Sequence, residues 1–283
     1  MEYVKKEFKA EWAGVQVYGF HAAPDSPGGC IVLVHGFGEH SGRYESSVVP
    51  QILQAGWAVL AFDLVGHGRS GGRRGHCAGY LQLLEQVQAA CRRARETFPG
   101  KALVVYGHSM GGNLVLNLVL RGMESPAGIV ASSPYLRLAF KPPAWKWQLG
   151  KFFLKVAPGI TLPSGLDPSG ISSLAEEVRA YQEDPLVHDR VSPNYSFPVI
   201  EAGAWALEHA NALEVPLLIA HGSDDPIIDP EGSQLMHQRV PDSRLLMLPG
   251  NFHELHHDRG REELFRTLTD WLAALAEKQG TRE

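Results

Sequence analysis

The strongest constraint on the fold of this chain is the alternation of short apolar segments with segments of helical periodicity. The runs Cys30–His35 and Trp57–Phe62 are almost entirely apolar, which is typical of strands buried on both faces. From Tyr80 to Phe98, apolar residues instead recur at helical spacing. Because buried strands that alternate with helices form parallel sheets, the sequence predicts an α/β fold. Its central sheet should be mostly parallel, with helices on both faces.

The alternation begins with two short edge strands near Val4 and Val15 and is interrupted once. The segment from Tyr135 to about Trp205 is rich in Pro, Ser and aromatic residues and contains no buried-strand run. We therefore expect a core formed by residues 1–134 and 206–283, with residues 135–205 inserted as a separate unit. The further core elements are strands over Ala102–Tyr106, Gly128–Ala131, Pro216–Ala220 and Arg244–Leu248, and helices over Gly111–Leu120, Pro230–Val240 and Glu262–Ala276.

Composition excludes several classes of protein. Lys and Arg number 26 against 31 Asp and Glu, a net charge of −5, whereas nucleic-acid binders usually carry a basic excess. Three cysteines without metal-type spacing exclude a disulfide framework and favour a reducing compartment. The sequence shows neither a signal peptide nor an apolar run long enough to span a membrane, so a cytoplasmic protein is expected.

The motif G-x-S-x-G occurs twice, around Ser70 and around Ser109. Ser109 follows the strand that ends at Tyr106 and opens an apolar helix, as a nucleophile elbow requires. Ser70 is followed by Gly-Gly-Arg-Arg-Gly, which is typical of a loop. Context therefore selects Ser109 as the nucleophile.

A serine hydroxyl needs a base, and the base needs an orienting acid. In this architecture the chain order is serine, acid, histidine. Asp224, Asp225 and Asp229 follow the strand that ends near Ala220, at the sheet edge where sites of open α/β folds gather. Asp225 is favoured, Asp224 remains an alternative, and Asp229 before Pro230 is typical of a helix N-cap.

The loop after the last strand supplies the histidine. His253 is favoured, whereas His256 and His257 fall toward the following turn and helix. His221 is interpreted as a structural residue at the sheet edge. For the oxyanion, the Met110 N–H at the start of the new helix is one predicted donor. The turn after the first central strand, at Phe37, should supply the other.

With these residues placed, the chain resembles the monoacylglycerol lipase and lysophospholipase branch of the serine α/β-hydrolases. The ten residues His35–Tyr44 match that branch's H-G-x-G-E-H-S-G-R-Y signature. The other matching segments are Asp63–Gly72 (D-x-x-G-H-G-x-S-x-G), Gly107–Gly112 (G-H-S-M-G-G), Gly222–Asp225 (G-S-x-D) and Gly250–His256 (the histidine loop).

The resemblance implies that Asp225 and His253 are the acid and the base, and that residues 135–205 form a cap, or lid, over the site. It also implies polar substrate-binding positions near the glycerol end of the substrate at Glu39, Arg43 and His256. A buried salt-bridge network that holds the loop is an equally weighted interpretation of those three residues. Unlike the animal enzymes, the chain has no cysteine beside the acid loop.

The expected function is hydrolysis of a lipid ester, foremost monoacylglycerol to glycerol and fatty acid, through an acyl-enzyme and without metal or other cofactor. The alternatives are a lysophospholipase or short-chain carboxylesterase on the same triad. More remote alternatives are an acyltransferase and a non-enzymatic ligand receptor on the same scaffold.

An amphipathic helix is predicted within the cap. Its apolar stripe is compatible with peripheral membrane contact or with packing against the core. The stripe consists of Trp145, Leu149, Phe152 and Val156, and Lys146, Lys151 and Lys155 lie off it.

Overall fold

The structure is a computed structural model that describes residues 3–140 and 143–280. Its centre is an eight-stranded sheet in the order β1-β2-β4-β3-β5-β6-β9-β10. The strands of this sheet are β1 (Lys6–Trp12), β2 (Val15–Ala22), β3 (Gly29–Val34), β4 (Trp57–Phe62), β5 (Ala102–His108), β6 (Gly128–Ser132), β9 (Leu217–Gly222) and β10 (Ser243–Leu248). Two further strands of two residues each, β7 (Leu162–Pro163) and β8 (Arg190–Val191), form a separate antiparallel ladder.

The sheet is mostly parallel, as the alternation of apolar runs and helices predicts. β1 and β2 form an antiparallel hairpin, β2 pairs antiparallel with β4, and the remaining neighbours run parallel. In register, His108 lies beside Ser132, and Ser132 lies beside Ala220. The segments that follow these strands therefore emerge at one edge of the sheet, where sites of open α/β folds lie.

Helices cover both faces of the sheet. Alternate strand residues divide between two apolar clusters, so that Val32 and Val34 face one side and Ile31 and Leu33 the other. The first side is packed by α2, α3, α6 and α7, and the second by α1 and α8. The helices are α1 (Val48–Gln54), α2 (Tyr80–Thr97), α3 (Met110–Leu120), α4 (Ala144–Val156), α5 (Ala175–Glu183), α6 (Pro193–Glu208), α7 (Pro230–Arg239) and α8 (Arg261–Gly280).

The segment between β6 and β9 contains α4, α5, α6 and the two-residue ladder. Its last helix, α6, extends past residue 205, and its Val199 and Ala206 belong to the apolar core. The side-chain amides of Asn113 and Asn117 on α3 donate to carbonyl groups of α6. This helix is therefore anchored to the core by apolar and polar contacts together.

Helix α4 has a different environment. The four residues of its apolar stripe are 45–64% exposed, so the interpretation in which the stripe packs against the core is wrong. Trp147 and Gly150, on the opposite side of the helix, line a cavity. The side chain of Lys146 lies outside the described part of the chain. Among the described residues, no helix combines the length and the apolarity needed to cross a membrane.

All three cysteines of the sequence are buried as free thiols. Burial raises the pKa of Cys30 and of Cys77 to about 12, and it also raises the pKa of Cys91. Because the thiolate is the reactive form, these residues are chemically inert near neutral pH.

Candidate active site

Ser109 lies on a sharp turn between β5 and α3. Its φ of +52° falls in the left-handed region that residues other than glycine rarely adopt. A Cβ at Gly107 would lie 2.2 Å from the Gly111 carbonyl oxygen, and a Cβ at Gly111 would lie 2.2 Å from the Val34 carbonyl oxygen. Only glycines fit this close approach of strand and helix, as the elbow motif predicts.

The second serine of the same motif has another environment. The Ser70 hydroxyl donates to the Asp63 carbonyl oxygen over 2.6 Å and accepts from the Tyr18 N–H over 2.9 Å. Both of its contacts are with main chain, so this serine stabilises a buried turn.

Three side chains from separate loops meet at the elbow. His253 Nε2 lies 2.8 Å from Ser109 Oγ, and His253 Nδ1 lies 2.7 Å from Asp225 Oδ2. Burial alone would lower the pKa of His253, but the Asp225 carboxylate outweighs it and raises that pKa above its ordinary value. The arrangement can remove a proton from the serine hydroxyl and hold it on an oriented imidazole.

The loop after β9 distinguishes the three candidate acids. Asp225 is buried, and its Oδ1 accepts from the N–H groups of Ile227 (2.8 Å) and Ile228 (3.0 Å). Burial opposes its ionisation, but the charge of His253 and the hydrogen bonds of both neighbouring histidines hold the pKa of Asp225 well below its usual range. Asp224 is exposed, and Asp229 accepts from the Glu231 N–H as the N-cap of α7.

The positions predicted for the oxyanion donors lie beside Ser109. Phe37 and Met110 both line the cavity that contains the serine. Met110 is the first residue of α3, so its N–H has no partner within the helix. The Gly36 N–H donates to Glu39 Oε1 over 2.6 Å, which stabilises the turn just before Phe37.

A buried charge cluster lies next to the site. The Arg43 guanidinium is 3.4 Å from Glu39 and 2.5 Å from Glu254, and the Tyr44 hydroxyl donates to Glu39 over 2.7 Å. Burial, together with the charge of Glu254, raises the pKa of Glu39 to about 7 even though Arg43 opposes the shift. Two carboxyl groups therefore share one cation.

The structure separates the three predicted substrate-binding residues. Glu39 lines the cavity, whereas Arg43 and His256 do not. His256 stacks on Tyr44 with ring centroids 4.6 Å apart. Burial holds the pKa of His256 well below its ordinary value. Glu254, which sequence reasoning missed, does line the cavity. Its only sequence signal is its position directly after His253.

The same cluster contains the atoms that could hold a metal ion. One ligand atom each from Glu39, His108 and Glu254 lie within 4.8 Å of one another. The Arg43 guanidinium already supplies positive charge to both carboxyl groups. The cation beside Glu39 and Glu254 is therefore the guanidinium of Arg43.

The cavity has a volume of about 410 Å³ and is mostly apolar. Its lining also contains polar side chains, which are those of Ser109, His253, Glu39, Glu254, His108, Ser164, Ser196 and three tyrosines (Tyr135, Tyr181 and Tyr195). Most of the large apolar side chains come from the segment between β6 and β9 and from the acid loop. They include Leu138, Phe140, Trp147, Phe197, Ile200 and Ile227.

The sheet order and the chain order of these groups together define the class of the protein. A serine after β5, an acid after β9 and a histidine after β10, at the carboxyl edge of a mostly parallel sheet, are the features of a serine α/β-hydrolase. The chain belongs to the family described as "Serine aminopeptidase, S33", whose profile matches residues 25–260.

Individual relatives extend this assignment. The monoacylglycerol lipase of Mycolicibacterium smegmatis is 33% identical over 261 residues, which are 91% of this chain and 92% of that protein. An uncharacterized abhydrolase domain-containing protein of Dictyostelium discoideum is 33% identical over 86% of this chain, but the match spans only 26% of that longer protein. The crystal structure of Paleococcus ferrophilus monoacylglycerol lipase superposes with a TM-score of 0.82 at 33% identity, covering 97% of this chain and 100% of that one. The predicted resemblance to the monoacylglycerol lipase branch is thus confirmed.

Proposed function

We propose that the protein hydrolyses carboxylic esters of lipids, with monoacylglycerol as its substrate and glycerol and a fatty acid as products. The observation that carries this proposal is the position of Ser109, His253 and Asp225 at a cavity of about 410 Å³ with a mostly apolar lining. An acyl chain suits such a lining because its transfer from water is favourable. The names of the Mycolicibacterium and Paleococcus relatives support the same substrate.

In the proposed mechanism, Ser109 attacks the ester carbonyl while His253 takes its proton. Asp225 orients the imidazole and stabilises its positive charge. The N–H groups of Phe37 and Met110 stabilise the oxyanion of the tetrahedral intermediate. His253 then protonates the leaving alcohol and activates the water that hydrolyses the acyl-enzyme.

The alcohol part of the substrate is assigned to the charge cluster. Glu39 and Glu254 line the cavity, and carboxylate oxygens accept hydrogen bonds from hydroxyl groups. Arg43 acts through these two glutamates, since it contacts both without lining the cavity. His256 acts through packing, because it stacks on Tyr44, which in turn donates to Glu39.

The test of this function compares wild type and Ser109→Ala on 1-monooleoylglycerol, lysophosphatidylcholine and a short nitrophenyl ester. We expect wild type to prefer the monoacylglycerol and the variant to lose on the order of 10⁶-fold in turnover. Ser70→Ala, at the second G-x-S-x-G motif, is the matched control and should keep its turnover per folded molecule. Turnover of the short ester alone would contradict the lipid substrate, and an active Ser109→Ala would contradict the mechanism.

Residues 135–205 are proposed to act as the cap of this site. The support is that the segment supplies apolar lining at Leu138, Trp147 and Phe197 to the same cavity that the catalytic groups of the sheet loops line. Because α4 lines the cavity with one side and exposes its apolar stripe on the other, the same helix can contact both substrate and surroundings.

We further propose that the exposed stripe of α4 contacts a lipid surface. Leu149, Phe152 and Val156 are 45%, 56% and 59% exposed, and the exposed Lys151 and Lys155 flank them. Apolar and basic residues in this arrangement are typical of helices that lie in a membrane interface.

Co-sedimentation with vesicles of phosphatidylcholine, with and without phosphatidylserine, tests this contact. The double variant Leu149→Ser/Phe152→Ser should bind at least about tenfold more weakly, because two half-exposed side chains no longer leave water, and complete burial of each would contribute roughly 1.5–3 kcal/mol. Leu81→Ser, at an equally exposed apolar residue on α2, is the control and should bind as wild type does. If wild type binds neither vesicle, the contact does not exist.

A further inference from the structure

A second histidine contacts the acid of the site. His221 is wholly buried at the end of β9, and its Nε2 lies 3.0 Å from Asp225 Oδ2. The same carboxylate oxygen lies 2.7 Å from His253 Nδ1. On its other side, His221 Nδ1 lies 2.7 Å from the Ser233 hydroxyl of α7. The mechanism above makes no use of this histidine.

The surroundings of His221 determine where its proton lies. Nε2 faces Asp225 Oδ2 and, at 3.3 Å, the Ile228 carbonyl oxygen, and neither atom can donate. Nε2 therefore carries a proton, and Nδ1 hydrogen-bonds to the Ser233 hydroxyl. Both ring nitrogens are thus satisfied.

With this donor, all four acceptor sites of the Asp225 carboxylate are used. Oδ1 accepts from the N–H groups of Ile227 and Ile228, and Oδ2 accepts from His253 and His221. The four donors are two main-chain N–H groups and two histidine rings. Rotation of the carboxylate would break at least two of these hydrogen bonds. The negative charge of the carboxylate is also shared among the four bonds.

We propose that His221 is a positioning residue, which fixes the orientation of Asp225 and limits the share of its charge that acts on His253. The inference rests on the proposed function of Asp225 as the acid of the triad. Without the His221 donor, the charge on Oδ2 would act more strongly on His253. The imidazolium would be stabilised, and the pKa of His253 would rise.

The consequence is a shift of the acid limb of the pH–rate profile toward higher pH, because only neutral His253 can accept the serine proton. The other groups that face the two histidines stay in place when His221 is replaced, so the shift reports on Asp225. These groups are Glu39, His108, Glu254 and His256 around His253, and Ser233 beside His221.

The experiment compares His221→Leu, which removes the donor, with His221→Gln, whose amide N–H can replace Nε2–H. The readout is the pH profile of the rate at which a fluorophosphonate inactivates Ser109. We expect the acid limb of His221→Leu to move up by about 0.5–1 pH unit and its maximal rate to fall about tenfold, and His221→Gln to restore both. His237→Leu is the control. His237 lies on α7 and hydrogen-bonds to Ser243 at the start of β10, and it does not contact Asp225.

An acid limb that is unchanged or moves down in His221→Leu would overturn the inference. If that variant does not fold, Ser233→Ala takes its place, since it removes the group that fixes the His221 ring. An upward shift there supports the inference, and an unchanged limb overturns it. Fluorophosphonate labelling of wild type does not depend on the lipid substrate. A protein that is labelled at Ser109 but does not hydrolyse monoacylglycerol would therefore contradict the proposed function and leave this inference standing.

Discussion

Two carboxyl groups of the site are both buried, yet their surroundings give them opposite ionisation behaviour. Asp225 is held by four hydrogen-bond donors, and its pKa lies well below the usual range despite burial. Glu39 shares the cation Arg43 with Glu254, and burial raises its pKa to about 7. Burial alone therefore does not determine the charge of a carboxyl group, because the number of donors and cations around it decides the outcome.

The raised pKa of Glu39 predicts a pH-dependent difference in stability between wild type and Glu39→Gln. The folded-state pKa of about 7 exceeds the ordinary value of 4.5, so the contribution of Glu39 to stability is complete below pH 4.5 and is lost as pH rises through 7. Relative to the variant, wild type should lose unfolding free energy between these two pH values and change little above them. Urea unfolding of both proteins across this range measures the difference, and a constant difference would contradict the assignment.

At the residue scale, motifs and chain order predicted Ser109, Asp225 and His253, and the structure places His253 within hydrogen-bonding distance of both other side chains. Glu254 and His221 were not predicted as site residues. Whether the side chain of Glu254 points toward the cavity depends on the path of the loop. The path of a loop cannot be predicted from the periodicity of apolar residues. His221 was placed at the sheet edge, but its contact with Asp225 depends on how the loop after β9 folds back over the strand end.

At the scale of elements, the junction of β5 and α3 depends on close packing between main chains. The Val34 carbonyl oxygen occupies the space that a side chain at Gly111 would need. The sequence predicted this elbow correctly because glycine spacing directly reflects the absence of space for a Cβ.

Gly111→Ala should therefore destabilise the protein by about 1–3 kcal/mol or more, because its Cβ would force α3 away from β3. Gly28→Ala is a matched control, since its Cβ would lie 3.8 Å from the nearest atom, the Gly56 carbonyl oxygen. This control should be neutral or up to about 1 kcal/mol more stable, through the lower entropy of its unfolded chain. Equal effects of the two substitutions on urea unfolding would contradict the role of the elbow glycine.

Elements of the segment between β6 and β9 were less predictable. The spacing of apolar residues in α4 predicted an amphipathic helix, but the same spacing fits a stripe that faces the core and one that faces outward. The anchoring of α6 relies on the side-chain amides of Asn113 and Asn117, which bind carbonyl groups more than 80 positions away in sequence. Such long-range polar contacts leave no local pattern.

At the scale of the whole molecule, charge is distributed unevenly. The chain has a net charge of −5, whereas the exposed residues beside the stripe of α4 include Lys151 and Lys155. An anionic surface would therefore attract this helix while it repels much of the remaining protein. The predicted lipid contact should accordingly have a definite orientation.

This distribution predicts that binding to vesicles containing phosphatidylserine weakens with salt. Each lysine near such a surface contributes about 1 kcal/mol, and screening shortens its range from about 10 Å at 0.1 M to about 3 Å at 1 M salt. Lys151→Gln/Lys155→Gln should remove most of the salt dependence in a sedimentation assay and leave binding to phosphatidylcholine unchanged. If wild type binds both vesicles equally at all salt concentrations, the lysines have no part in the contact.

The burial of the three cysteines makes the protein suited to optical labelling. Since every native thiol is enclosed and has a raised pKa, a single cysteine introduced at an exposed position such as Phe152 would be the one site that a maleimide dye modifies. No native residue would have to be removed first. The emission colour of a polarity-sensitive dye there would then report, in real time, when α4 leaves water.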